Sequence, residues 1–235
     1  MSANFTNIVS LINSNTKANA TSYPIAEKVI DINLALDRAW SIILQASGTW
    51  QLDDSNQTDY PIITTNLTSA QRDYSFTVDG SGNVILDIYK VLVADPNGLF
   101  HEIYPVDVQS GKGMDSFFSG QNIGGQPFRY DKTANGIFLD PVPNYSVAGG
   151  LKIYINREAT YFTVSDTTKK PGFAGIFHEY LALRPSYQYA YRNGLANMNV
   201  LKSEMLEMED AIGEYYSKRS KDEKMQILTR HRNPR

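Results

Sequence analysis

Cysteine is absent from this 235-residue chain. That excludes disulfides, thiol nucleophiles and Cys-type zinc sites, and it fits a protein made in a reducing cytosol. Long apolar runs are missing too, since none approaches the ~18 residues that span a bilayer. The opening MSANFTNIVSLI has neither a basic n-region nor a small-residue cleavage site, so no secretory signal is expected. Without a secretion route, Asn-x-Ser/Thr triplets such as Asn19-Ala-Thr21 and Asn144-Tyr-Ser146 read as chance rather than glycan sites. Histidine is scarce, with three residues at His101, His178 and His231.

An excess of positive charge is also lacking. The 22 Lys and Arg stand against 25 Asp and Glu, a formal charge of −3, which argues against a general nucleic-acid binder. The balance is uneven, however. Lys218 to Arg235 holds seven Lys/Arg and two acids, a net +5 that leaves −8 on the preceding chain. Such asymmetry points to a tail that meets a partner. The hydrophobic fraction of 42% and charged fraction of 20% are those of an ordinary soluble protein. Length alone allows one large domain or two small ones.

Helical spacing opens the chain. Phe5, Ile8, Val9, Leu11 and Ile12 predict a short amphipathic helix over 4–13. Pro24 sits where a helix can begin, and Val29, Ile32, Leu36, Ala39 and Ile43 step by three and four toward a stop at Gly48. From about Trp50 to Val164 the period changes to two. Tyr74, Phe76 and Val78 alternate, and Val84–Val93 reads as a long strand buried on much of both faces. A short strand over Tyr104–Val108 and an alternating strand Leu151–Ile155 are predicted as well. Residues 125–144, GQPFRYDKTANGIFLDPVPN, read as a β-hairpin turning at Asn135-Gly136 and stopped by Pro141 and Pro143. Phe128 and Tyr130 are expected to face one way with Ile137 and Leu139, with Asp131–Asn135 as a projecting polar tip. After Pro171-Gly172 the helical period returns in Phe173, Ile176, Phe177, Tyr180 and Leu181, with a bend expected at Pro185. Leu195, Met198, Leu201, Met205, Met208, Ile212 and Tyr215 then mark one face of a long helix. Glu204, Glu207, Glu209, Asp210 and Glu214 fall mainly on its other faces.

The fold class is therefore α+β, a helical frame of two N-terminal and two C-terminal helices carrying an inserted antiparallel β-sheet or sandwich. The expected divisions are 1–49 and 171–217 for the frame, 50–170 for the β insertion and 218–235 for the basic tail.

Motifs that carry chemistry fail one after another. His178-Glu179 begins like a His-Glu-x-x-His zinc motif, but Ala182 stands where the second ligand belongs. Asp79-Gly-Ser-Gly-Asn83 begins like a calcium loop, yet its twelfth position is Lys90 instead of a bidentate Glu. Asp53, Asp54 and Asp59 fit a solvated turn better than a cation site. Ser110-Gly-Lys-Gly113 and Gly120–Gly125 lack the order of a phosphate loop. No catalytic residue, metal ligand or cofactor is assigned, and the chain is read as a non-enzyme. The 15 Tyr, including Tyr180, Tyr187, Tyr189, Tyr191, Tyr215 and Tyr216, divide between core and interface roles.

Taken together, Ile25-Ala-Glu-Lys-Val-Ile-Asp-Ile-Asn-Leu-Ala-Leu-Asp-Arg-Ala-Trp40, Trp50, Tyr74-Ser-Phe76 and Ile88-Tyr-Lys-Val91 resemble a known pattern. It continues through Gly125-Gln-Pro-Phe-Arg-Tyr130, Ile137-Phe-Leu-Asp-Pro-Val-Pro143, Leu151-Lys-Ile-Tyr-Ile155 and Phe177-His-Glu-Tyr-Leu181. The order of these elements, over nearly the whole chain, resembles the head-to-tail connector (adaptor) proteins of tailed bacteriophages, the tail tubular adaptors of short-tailed phages included. The resemblance implies a structural virion protein of the neck, present in the host cytoplasm during assembly. It implies a homo-oligomeric, dodecameric ring joining the portal protein to the next tail component. DNA is then only passing cargo, and no catalytic residues, cofactor or membrane anchor are involved. C-terminal segments of such rings dock on the portal, which makes Lys218, Arg219, Lys221, Lys224, Arg230, Arg232 and Arg235 the candidate contacts. Glu204, Glu207 and Glu214 become candidates for lining a channel that must not grip phosphate. Asp131, Lys132, Thr133 and Asn135 become a loop facing a neighbouring subunit or the tail. The alternatives are a carbohydrate-binding β module using exposed Tyr and Trp50 as stacking platforms, and a hydrolase whose site is not local in sequence.

Overall fold

The structure, a computed structural model, describes residues 3–47, 62–79, 82–106, 124–133 and 136–219. The fold is α+β. Two compact units divide the chain, Met1–Trp50 with Tyr161–Arg235, and Gln51–Thr160.

In the first unit α1 (Phe5–Thr16) starts where Asn4 caps it, its side-chain oxygen accepting from the Asn7 amide at 2.9 Å. Lys17, in the left-handed region at φ 55°, ends it. Asn19 then turns the chain by accepting from the amides of Thr21 and Ser22, and α2 (Ile25–Ala46) follows Pro24. The expected stop at Gly48 lies outside the described residues.

Residues 161–170, which the expected division at 170 places with the β insertion, belong to the helical unit. Asn33 of α2 holds the Phe162 backbone from both sides, donating to its carbonyl at 3.0 Å and accepting from its amide at 2.9 Å. The Phe162 ring stacks on Phe5 at 5.3 Å, and the Phe5 amide donates to the Lys169 carbonyl. A segment without regular structure thus gains both hydrogen bonds and burial from helices distant in sequence.

A single 3₁₀ turn, Gly175–Phe177, precedes α3 (Tyr180–Asn193), so this helix begins later than the spacing from Phe173 predicts. It continues through Pro185 and ends at Gly194, whose φ of 62° is one a side chain resists. Among the described helices α3 is central, packing against α1, α2 and the last helix, α4 (Met198–Arg219). Its Tyr180, Leu181, Ala182, Leu183, Ser186 and Ala190 are buried accordingly. The buried face of α4 carries Leu201, Met205, Glu209, Ile212 and Tyr216, rotated from the expected face. Glu209 lies inside, and Tyr216 rather than Tyr215 fills the core.

The second unit contains β1 (Ile62–Leu67), β2 (Asp73–Ser75), β3 (Ile85–Ala94), β4 (Phe100–Pro105), β5 (Arg129–Thr133), β6 (Gly136–Asp140) and β7 (Val147–Arg157). Together they form one sheet in the order β1-β7-β3-β4-β5-β6-β2, curled into a half-barrel. Val91, Val93, Ile103, Tyr130, Ile137, Leu139, Leu151, Ile153 and Ile155 form its buried core. The sheet is mixed, which corrects the expected antiparallel one. β4 and β5 run parallel through Tyr104↔Arg129 and Pro105↔Tyr130. Residues 106–128 separate them, enough chain for the crossover that a parallel pair requires. The first half of β3 is more exposed than expected, with Leu86 and Tyr89 outside, and bulges against β7 interrupt its register.

The 125–144 segment forms its hairpin, β5 on β6, with register Arg129↔Asp140 to Thr133↔Gly136. Tyr130, Ile137 and Leu139 are buried together, but Phe128 precedes the strand and is 59% exposed. Gly136 has another purpose than turning. It pairs with Ser75 of β2, and a Cβ there would lie 2.4 Å from the Tyr74 carbonyl oxygen. Glycine is therefore what lets β2 close on β6. Gly136→Ala is expected to destabilise the β unit by about 2 kcal/mol, since backbone must shift to admit the methyl. Urea denaturation followed at this unit's tyrosines measures it, and an unchanged midpoint would refute the close-approach role.

Candidate functional site

The helical unit is built around two buried carboxylates. Glu209 of α4 accepts from Arg38 of α2 through Nε at 3.2 Å and Nη2 at 3.0 Å, from Arg184 of α3 at 3.1 Å, and from the Tyr180 hydroxyl at 2.7 Å. Asp31 of α2 accepts both guanidinium arms of Arg192 of α3 at 2.9 Å each and the Tyr23 hydroxyl at 2.6 Å. Tyr23 in turn stacks on Tyr189, with centroids 4.6 Å apart. Burial, reinforced by the bonds to the carboxylates, pushes the Tyr23 and Tyr180 hydroxyls well above the ordinary tyrosine range, so both act as donors. The bond to Glu209 raises Arg38, and the bond to Asp31 raises Arg192.

These pairs avoid much of the cost of burying charge. The side chains of Arg38 and Arg192 stay 48% and 52% exposed while the carboxylates are sunk. The cations therefore keep water and the anions receive several donors each. The spacing Tyr180 to Arg184, one helical turn, carries part of this cluster in the sequence. Glu209 itself resembles its solvated neighbours until α2 and α3 are brought against it.

His178, the start of the failed zinc motif, is a structural residue. Its Nδ1 lies 2.9 Å from the Ala3 carbonyl oxygen and its Nε2 2.9 Å from that of Phe173, and the ring meets Phe173 edge-on. Burial pushes its pKa below the ordinary value, with the two carbonyls pulling weakly the other way. His101 is exposed and lies 3.6 Å from Asp95, and His231 is outside the described residues. Asp79 of the calcium-like turn is occupied by donors, the Asn83 amide at 2.8 Å, Asn83 Nδ2 at 2.9 Å and Arg157 at 2.5 Å. Among the described residues no group of three His, Asp or Glu could hold a metal ion, and no helix is long and apolar enough to cross a membrane. Asp53, Asp54, Asp59, Trp50, 110–113 and 120–123 are outside the described residues.

The candidate contact residues fall in three places. Lys218 pairs with Glu214 one turn earlier on α4, Arg219 closes that helix, and Lys221, Lys224, Arg230, Arg232 and Arg235 lie outside the described residues. Glu204, Glu207 and Glu214 share one exposed face of α4, opposite buried Glu209. Glu214 is held below the ordinary carboxylate range by Lys218, whereas Glu204 and Glu207 have no ion pair among the described residues. The expected polar tip is corrected. Asp131, Lys132 and Thr133 are strand residues paired to Phe138, Ile137 and Gly136, and Lys132 forms an ion pair with Asp87 of β3. Asn135 is outside the described residues.

Glu204 and Glu207 also rim a groove of about 360 Å³ between α3 and α4, with Glu179 on its other side and Leu183, Met208 and Ala211 as further lining. Sequence reasoning missed it, because Glu179 looked like part of a zinc motif. No protein-family model matches the chain, and no curated protein matches it.

Two outcomes follow from these clusters. Glu209→Ala should cost about 3 kcal/mol by leaving two guanidinium groups and a buried hydroxyl unpartnered, while Glu207→Ala stays within about 0.5 kcal/mol. Denaturant midpoints of the two variants give the comparison. For His178, a pKa below the unfolded value means that the unfolded chain takes up the proton first. Stability is then complete above about pH 6.5 and falls on acidification. Wild type should lose more stability than His178→Gln between pH 7.5 and 5.5, and equal losses would remove the histidine from the account.

Proposed function

We propose that this chain is a structural adaptor that assembles into a ring between a capsid portal and a tail, with DNA passing through it. The observation that carries this reading is the apolar surface left on the outer faces of helices that the two carboxylate clusters already tie together. Ile30 and Leu34, one turn apart on α2, are 60% and 49% exposed, and Ile176, Tyr191, Val200 and Leu206 are exposed as well. Exposed apolar neighbours of this kind mark surfaces that another protein covers. The family resemblance supplies the identity of the cover, which is neighbouring copies of the chain. In this reading the work is geometric, and the buried carboxylate clusters keep each helical unit rigid enough to tile.

The basic residues Lys218, Arg219, Lys221, Lys224, Arg230, Arg232 and Arg235 then meet carboxylates of the portal. The exposed acidic face of α4, Glu204, Glu207 and Glu214, keeps passing phosphate from binding. A second reading has its own observation. Tyr89, Tyr104 and Phe128 of the β unit are exposed aromatics of the sort that stack on sugar rings.

Negative-stain imaging and native mass spectrometry of the protein mixed with its portal decide between them. Rings seated on the portal, lost in Ile30→Lys/Leu34→Lys without loss of helical content, are the expected result. Absence of any complex with the portal, together with glycan binding abolished by Tyr104→Ala, would overturn the ring in favour of the β module.

A further inference from the structure

The outer face of α2 is apolar at its middle and charged on either side. Ile30 and Leu34 stand there one turn apart, both exposed. α4 runs beside α2 in the same direction, since Glu209 meets Arg38 and, one turn further along both helices, Gly213 faces the Ile42 side chain. One turn back, the same alignment brings exposed Leu206 level with Leu34. On the other flank the Tyr161 hydroxyl donates to Asp37 at 2.7 Å, so exposed Tyr161 and Val164 border the face as well.

The two ends of this face carry opposite charges. Glu27, one turn before Ile30, is exposed and has no hydrogen bond or ion pair among the described residues. Arg38, one turn after Leu34, gives Nε and Nη2 to Glu209 and leaves about half of its side chain in water. Turned end for end, the face therefore matches itself. About a point midway between Ile30 and Leu34, Ile30 meets Leu34 of a second copy, and Glu27 meets Arg38 of that copy. At about 100° per residue, Glu27 and Arg38 lie on the same flank of the apolar pair, as a two-fold axis requires. On the opposite flank Asp37 meets Ala26, so no like charges are opposed. Parallel copies would instead set Glu27 on Glu27 and Arg38 on Arg38.

We propose that free chains pair through α2, antiparallel about a two-fold axis at residue 32, with Ile30 and Leu34 of both copies covered between two Glu27–Arg38 ion pairs. Glu209 already holds each of these guanidinium groups in place, which lowers the entropy lost on contact. A second copy suits the face better than an unrelated protein does, because one helix supplies both halves of the charge match. The pairing does not rest on the ring. A two-fold contact closes after two copies, whereas a ring asks each copy for two different surfaces. If the ring forms too, the pair is the state of the chain before it meets the portal.

Sedimentation equilibrium of the full chain without portal should show monomer and dimer, with no larger species. Glu27→Arg should weaken the dimer about tenfold, since two attractive contacts become repulsive. Glu204→Arg, the same charge change on the side of α4 turned toward α3, should leave it as in wild type. Glu27 bonds to nothing in the core, so its substitution reads the contact and not the fold. Because the chain lacks cysteine, Gln45→Cys can carry a single spin label. Gln45 lies 13 residues past the two-fold point, which places the two labels about 40 Å apart in the antiparallel dimer. Parallel helices would leave them about 10 Å apart. A monomer at every concentration would overturn the proposal. So would the short label distance, masses beyond two copies, or a dimer indifferent to Glu27→Arg. Rings on the portal are scored in a separate experiment, so either idea can fail alone.

Discussion

A carboxylate sunk among three helices is the constraint on which the helical unit depends. Glu209 reaches inward from α4 to Tyr180 and Arg184 on α3 and to Arg38 on α2. A hydrophobic contact tolerates small rotations and slides of its helices, because it has no preferred direction. A carboxylate with four donor contacts does not, since each displaced donor would leave buried charge unpartnered. Asp31 repeats the arrangement between α2, α3 and the segment that leads into α2. The two clusters hold α3 at separate points along its length, around Tyr180–Arg184 and at Arg192. Crossing position and rotation of the central helix are therefore set together. The rotation of α4 that brings Tyr216 inside, where its hydroxyl accepts from the Ala174 amide, follows from the same constraint.

The β unit is organised differently. Its center is a nonpolar strip across β7, β3, β4, β5 and β6, and its polar ties sit at the margins. Arg157 closes on Asp79, and Arg129 on Asp140, each at 2.5 Å. The long connection between β4 and β5 allows their parallel pairing, and Gly136 allows β2 to approach β6. Both features concern how strands far apart in the chain meet. Neither has a signature in the alternation of apolar residues that announces the strands themselves.

The proposed roles draw on what these two frameworks leave uncovered. A helix fixed by buried ion pairs can carry Ile30 and Leu34 outward without the unit rearranging to hide them. The acidic face of α4 is similarly available because the helix's own acid that mattered for folding, Glu209, faces inward. Like charges on Glu204 and Glu207 then act on whatever approaches from outside, which in the proposed ring is passing phosphate. Short-range hydrogen bonds determine the first framework, whereas longer-range charge and exposed apolar area serve recognition at its surface.

Periodicity in the chain by itself determined the element types. The three-and-four spacing in 25–46 yields α2 with the boundaries expected, and alternation around 151–155 and 129–140 yields strands. These are legible because side-chain direction repeats with the backbone, at 3.6 or 2 residues, so burial leaves a local imprint. Caps and stops such as Gly194 are local in the same sense. What only the tertiary structure decided is which polar residues are inside and which strands are neighbours. Glu209 and Glu207 have the same side chain on the same helix, and the difference lies in Arg38 and Tyr180, residues remote in sequence. The groove of Glu179, Glu204 and Glu207 and the attachment of Phe162 to Asn33 likewise exist only when α2, α3 and α4 are side by side. Their partners are set by distance in space, which a one-dimensional pattern does not carry.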